Sequence, residues 1–220
     1  LAKIEKVVLD DRMPMPKYYL VHWGSSLTDA KREIVLDWIR NERIEMYADA
    51  LPEARAAEPV RPVDLSIEVD PAKAALGFAL FHDPRLSVDN TVSCATCHAL
   101  ETAGVDNRQY SHGVDDQVGG VNAPTVYNAV YNFVQFWDGR AKTLADQAAG
   151  PPLNPIEMAS ESFEQIITKL EADKSFAQAF KAVYPDGLTQ ANITDAIEEF
   201  EMTLITPNSR FDKWLRGDDA

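Results

Sequence analysis

Cys94-Ala95-Thr96-Cys97-His98 constrains this chain more than any other feature, and it uses both cysteines of the 220 residues. Two thiols at this spacing can each add to one vinyl group of the same porphyrin, and the adjacent imidazole can then reach the iron from the proximal side. Other chemistries use the same pair. A zinc site would need a second ligand pair, which the other three histidines do not supply at zinc spacing. A thioredoxin-like dithiol would sit in a βαβ context, which the sequence lacks. An inert coincidence is the bland alternative. The motif therefore points to one covalent haem c on Cys94, Cys97 and His98. Attachment of this kind takes place outside the cytoplasm, so the expected location is the periplasm.

Composition narrows the setting. The chain is 45% hydrophobic, enough for one or two cored domains. Its net charge of −14 argues against nucleic acid as a partner, because phosphate contacts need clustered Lys and Arg. An acidic surface suits a basic protein partner or simply keeps the chain soluble. No apolar run approaches the roughly 20 residues of a membrane span. The opening LAKIEKVVLDD is charged and has no initiator Met. Both ends are read as cuts in a longer protein, so the missing export signal leaves export, or an anchor at a lost N-terminus, open.

The chain divides into three stretches, 1–45, a linker 46–70 and 71–220. In the first, Thr28 is placed to cap a helix with Ile34, Val35, Trp38 and Ile39 on one face. Residues 51–70 hold three prolines and no helical period. Asp70-Pro71 then reads as a cap followed by a first-turn proline, opening a helix over 71–81. Residues 101–122 are polar, contain four glycines and form a long loop, which in a compact domain is usually functional. Further on, Ser162 and Gln165 suggest a capping box, and Ile193, Ile197, Phe200 and Leu204 form the stripe of a last helix. No strand pairs stand out, and the fold class is all-α: a c-type cytochrome fold with long loops, preceded by the end of a small helical haem-binding module.

The segments LGFALFHDPRLS (76–87), the haem motif, NAPTVYNAVYNFVQFWDGRA (122–141), GPPLNPIEM (150–158) and FEMTLITPNSRFDKWLRGDD (200–219) follow one another in order. Over 71–220 they resemble the N-terminal, peroxidatic domain of the bacterial dihaem cytochrome c peroxidases. The resemblance implies a role for each matching residue. His98 becomes the proximal iron ligand and His112 a distal ligand in the resting state, carried on a loop that can swing away. Glu157 becomes the acid–base group that moves a proton between the peroxide oxygens, and Gln147 the amide beside it. Trp137 becomes the tryptophan between two haems, and Asn122 a ligand of a calcium ion. Each has a plainer reading: a loop histidine for His112, a helix-start surface acid for Glu157, a solvated helix face for Gln147 and a core aromatic for Trp137. His82 is given no role beyond a structural one.

Two departures matter. The family carries a second haem motif in a C-terminal domain, and this chain has only one. The resemblance implies a fragment that reduces hydrogen peroxide poorly alone. Its electrons would come from a small cytochrome c, cupredoxin or quinol through that second haem, in a full-length homodimer. Residues 13–40 resemble the end of a haem-binding module fused to three-haem members. There Met13 would be the sixth ligand of an upstream haem, with Met15 as competitor and a buried methionine as the bland reading. The competing function is a monohaem electron carrier. A third is a relative of the methylamine-utilisation dihaem enzymes, which lack the blocking histidine loop, so His112 counts against it.

Overall fold

The computed structural model describes residues 2–10, 12, 27–47, 55, 58, 60–64 and 67–218. Met13 and Met15 lie outside the described residues. The chain divides into two units, 66–206 and a smaller one of 1–65 with 207–220.

In the larger unit, α3 spans Pro71–Phe81. Asp70 caps it, accepting from the Ala72 amide at 2.8 Å and the Lys73 amide at 3.3 Å, and Pro71 occupies the first turn, where its missing N–H costs nothing. The four-residue α4, Cys94–Cys97, carries the thiols. Then follow α5 (Leu144–Ala148), α6 (Phe163–Ala172), α7 (Lys174–Val183) and α8 (Gln190–Met202). Leu76 and Leu80 of α3 close a core with Ile166 and Leu170 of α6, Phe180 of α7 and Ile193 and Ile197 of α8. Among the described residues the only β-pairing is two isolated bridges, His112–Val118 and Gln135–Ala141, so the molecule is all-α.

Helices α3 and α8 cross at Gly77. A Cβ there would stand 1.8 Å from the Ala196 carbonyl oxygen and 2.7 Å from the Phe200 Cβ. Glycine is unfavourable inside a helix, so its presence in α3 reflects this close approach. The contact matters to the site because α3 and α8 supply Phe81 and Phe200, two walls of the apolar cluster against which the thiol turn packs.

In the smaller unit α1 (Ala2–Leu9) packs on α2 (Asp29–Tyr47), and Val8 and Ile39 are buried there. The Thr28 hydroxyl accepts from the Lys31 amide, as a capping residue should. The apolar face of α2 is narrower than its spacing suggests. Ile39 is 1% exposed, but Ile34 is 67% exposed and Trp38 points its indole N–H at Glu42. The unit also holds α9 (Arg210–Arg216), which sequence reasoning missed. It is capped by a reciprocal Ser209–Asp212 pair, and Asp212 also accepts from the Val63 amide.

Two smaller expectations are corrected. The stripe of α8 ends at Met202, so Leu204 packs from beyond the helix, and α8 is not the last helix. The Ser162 hydroxyl does cap α6, but the Gln165 side chain accepts from the Glu161 amide instead of closing the box on Ser162.

Gly77→Ala is expected to destabilise the protein by about 1–3 kcal/mol, the usual range for overpacking a tight contact. Denaturant unfolding of the variant against the parent checks this.

Candidate functional site

Ser93 opens the thiol turn. Its amide is satisfied by the Thr96 hydroxyl at 3.0 Å, and the His98 amide bonds back to the Cys94 carbonyl at 2.9 Å. One helical turn thus presents both sulfurs and delivers the imidazole at its C-terminal end. Both cysteines are free. Burial, with the Glu201 charge second, pushes the Cys94 thiol up to about 12, and burial raises Cys97 as well. Phe81, Val126, Phe200 and Leu204 form an apolar cluster, and Cys94, Ala95, Leu100 and Tyr127 pack against it.

His98 is held from behind. Its Nδ1 lies 3.2 Å from the Gly104 carbonyl oxygen. As a donor there, Nδ1 carries the proton and Nε2 keeps its lone pair. Burial holds the ring below the ordinary histidine pKa, which favours the neutral form that ligates metals. Ala103 and Gly104, both at positive φ, turn the chain back so that this carbonyl faces the ring.

His112 opens a tight hairpin. Its bridge to Val118 is closed by Gly113 N–H to Gln117 O and Gly119 N–H to Ser111 O, both 2.9 Å, with Asp115 and Asp116 left-handed at the tip. The 101–122 stretch is thus a loop with a built tip. Asp116 Oδ1 stands 2.5 Å from His112 Nδ1, a carboxylate partner that sequence reasoning missed. The His112 side chain contributes the Asp116 carboxyl's main downward shift. A cleft of about 310 Å³ lies between the thiol turn and this loop, lined by Thr96, Ala99, Thr102, Asp106, Arg108 and His112.

The hairpin is clamped to the Glu157 turn, backbone to backbone. Val114 N–H donates to Glu157 O at 2.9 Å, and the Gln117 side chain donates to Pro155 O at 2.9 Å. A Cβ on Gly113 would lie 2.0 Å from the Ile156 carbonyl oxygen. So the structure ties together the two loops that bear His112 and Glu157.

Glu157 sits in a turn and not at a helix start, half-buried. The Asn154 side-chain amide donates to its Oε1 at 2.7 Å. Burial raises its pKa, opposed by the charge of Arg140 and by that hydrogen bond. Arg140 is a second group that sequence reasoning missed. Its guanidinium lies 3.4 Å over the Phe136 ring, at the edge of an open cleft of about 570 Å³ that α5 helps to line. Gln147 is half-buried on α5, and among the described residues no hydrogen bond joins it to Glu157. Trp137 is 68% exposed, which removes the core-aromatic reading. Its indole N–H donates to the Asn122 carbonyl at 2.8 Å, so these two are neighbours. The Asn122 side-chain amide donates to Arg108 O, and among the described residues no cluster of His, Cys, Asp or Glu could hold a metal ion. His82 caps the end of α3, its Nδ1 2.9 Å from Phe78 O, as a structural histidine does.

Residues 71–220 match the model of a known family, di-haem cytochrome c peroxidase. The chain belongs to that family. Residues 1–41 match a haem-binding domain. Cytochrome c peroxidase Ccp of Escherichia coli is 57% identical over the whole of this chain and 47% of its own length. Cytochrome c551 peroxidase of Nitrosomonas europaea is 44% identical over 86% of this chain and 56% of its own. Among solved structures, a MauG-like protein associated with microbial copper homeostasis aligns at a TM-score of 0.65 and 29% identity, over 77% of this chain and 50% of that one. The chain spans about half the length of the curated relatives it matches.

The residues present fit a haem. Two unpaired thiols and a pinned imidazole share one turn against an apolar wall. They do not by themselves make a calcium site.

Gly113→Ala should force the hairpin off the Glu157 turn. The expected outcome is faster hydrogen exchange at the Val114 amide, read by NMR, with the α3 and α8 amides unchanged.

Proposed function

We propose that this chain is the peroxide-reducing haem domain of an exported enzyme that converts hydrogen peroxide to water. The observation that carries the reading is the clamp. A half-buried, back-bonded histidine follows the thiol pair, and two loops bound to each other bear a carboxylate-paired histidine and a half-buried glutamic acid.

Bound through thioethers at Cys94 and Cys97, haem c supplies the redox iron at which peroxide accepts electrons. His98 would hold that iron through Nε2, with the Gly104 carbonyl fixing its tautomer. His112, oriented by Asp116, would be a second, displaceable imidazole for that iron, carried on its hairpin. Glu157 carries the proton chemistry. Reducing hydrogen peroxide to two waters takes two electrons and two protons, and breaking the O–O bond needs a proton delivered to the departing oxygen. A carboxyl raised by burial takes and returns that proton more readily near neutral pH than an ordinary glutamate. Asn154 aims the carboxyl, Arg140 limits how far its pKa rises, and Gln147 holds peroxide by hydrogen bonds. Trp137, exposed beside Asn122, would pass electrons from a second haem, since the two cysteines here attach only one. The donor is a small cytochrome c, a cupredoxin or a quinol, and the holoenzyme is a homodimer. A calcium ion at Asn122 would need its remaining ligands from outside this chain. A haem attached through thioethers is an extracytoplasmic modification, which supports a periplasmic location.

Expression of the holoenzyme with a cytochrome c maturation system tests this. Cys94→Ala with Cys97→Ala should abolish haem that survives denaturing electrophoresis, and haem retained by that variant overturns the attachment. Glu157→Gln should slow peroxide turnover by about 10²–10⁴-fold. Turnover within a few-fold of the parent removes Glu157 from the chemistry. His112→Ala should change a six-coordinate resting spectrum to one that binds cyanide faster.

A further inference from the structure

Glu201 is a buried acid that nothing above employs. It lies on α8 next to Phe200, whose ring belongs with Leu204 to the apolar cluster packed on Cys94 and Ala95. The side chain is 5% exposed, and its Oε2 is buried without a hydrogen-bond partner. An unpaired carboxylate in such a place is costly, and the group protonates instead. Burial first, and the Glu198 charge second, raise its pKa to about 8. Its own charge reaches the thiol turn, where it ranks behind burial alone in raising Cys94.

Among the described residues no cation is among the causes that shift it. On α3, Lys73 is held by Asp195 at 2.7 Å and lies 3.9 Å from Glu199, while the His82 ring stands 6.4 Å from the ring of Phe200. On α5 the acidic residue is Asp146, and the turn Ala129–Tyr131 is uncharged. Glu198, on α8 itself, is a further acid whose pKa is raised, by burial first. Glu201 therefore faces one acid and the haem-bearing turn.

We propose that Glu201 is the proton partner of the haem on Cys94 and Cys97, taking up one proton when that haem accepts one electron and releasing it on reoxidation. This rests on the haem reading above. The step balances simply: a one-electron donor supplies the electron, water supplies the proton, and the carboxylate becomes a carboxylic acid with no other bond changed. The ferric porphyrin carries one more positive charge than the ferrous. At low dielectric that charge favours a neighbouring carboxylate, so the acid is stronger beside oxidised haem and weaker beside reduced haem. Between the two pKa values reduction must bring in a proton. The reduction equilibrium then becomes less favourable as pH rises through that window and levels off outside it. Glu201 acts through the haem, as a positioning residue for charge.

Spectroelectrochemical titration of the holoenzyme between about pH 6 and 9 tests this. The relevant haem signal is the one lost in the Cys94→Ala, Cys97→Ala variant. In the parent protein the reduction constant should fall by close to tenfold per pH unit within the window, the slope for about one proton per electron. Glu201→Gln should flatten most of that dependence, and Glu201→Asp should restore it. A Glu201→Gln profile that matches the parent overturns the proposal. Reduced-minus-oxidised infrared spectra of the parent protein need no variant. A protonated-carboxyl band that appears on reduction and shifts in D2O supports the proposal, and its absence overturns it. If no covalent haem forms, the underlying haem reading fails and takes this one with it. A haem whose potential ignores Glu201 sinks this proposal alone.

Discussion

The hydrogen bond between His98 and the Gly104 carbonyl sets the terms for the rest of the larger unit. Five consecutive residues place two sulfurs and one imidazole, so the fold need not gather ligands from distant elements. What it must do is hold one short turn still and keep its ring in the correct tautomer. The Gly104 carbonyl does the second task from six residues away. The first falls to α3 and α8, which touch backbone to backbone at Gly77 and offer Phe81 and Phe200 as a wall. Without that close crossing the wall would stand further from Cys94, and the turn would lose its backing.

The site runs against the character of the surface. The chain as a whole is strongly acidic, with 35 acids to 21 bases. Around the thiol turn, however, burial pushes groups toward neutrality: Cys94 and Cys97 upward, His98 downward, Glu157 and Glu201 upward. Desolvation is the leading cause in every case. A low-dielectric pocket of this kind makes any charge that does arrive count for more, whether on a metal or on a peroxide oxygen. Among the described residues Arg140, stacked on Phe136, is the cation whose charge opposes the rise of Glu157, together with the Asn154 hydrogen bond.

The local signals were legible in the sequence. Asp70-Pro71 opened a helix over the residues that its spacing marked, and Cys94 to His98 formed one turn. The all-α class followed from the absence of alternating runs. The pairings that define the site could not be read, because they join residues far apart. Gly113 touches 156–157, and Arg140 acts on Glu157 across 17 positions. Asp116 lies only four residues from His112, but a left-handed hairpin, not a helix, brings them together, and nothing in VDDQ announces that geometry. The α2 face misled for the opposite reason. Helical spacing put Ile34 and Trp38 on one face with Ile39, yet spacing says which residues share a face and not how much of that face is covered.

Backbone strain follows the same division. Among the described non-glycine residues at positive φ, all but Asn208 fall between 90 and 159, the stretch that carries the thiol turn, the His112 hairpin, Trp137 and Glu157. Phe136 is the costliest type among them, a bulky aromatic at φ +65, with Arg140 over its ring. Such residues cost about 1–3 kcal/mol each and persist only where surrounding structure over-determines them. Here α3, α6, α7 and α8 do the over-determining, with none of the strain themselves. The regular helices carry the stability, and the loops between them are free to hold conformations that would not survive alone. That separation lets two loops be bound to each other, by the Val114–Glu157 backbone hydrogen bond and the Gln117 side chain, while holding conformations that no regular element could supply.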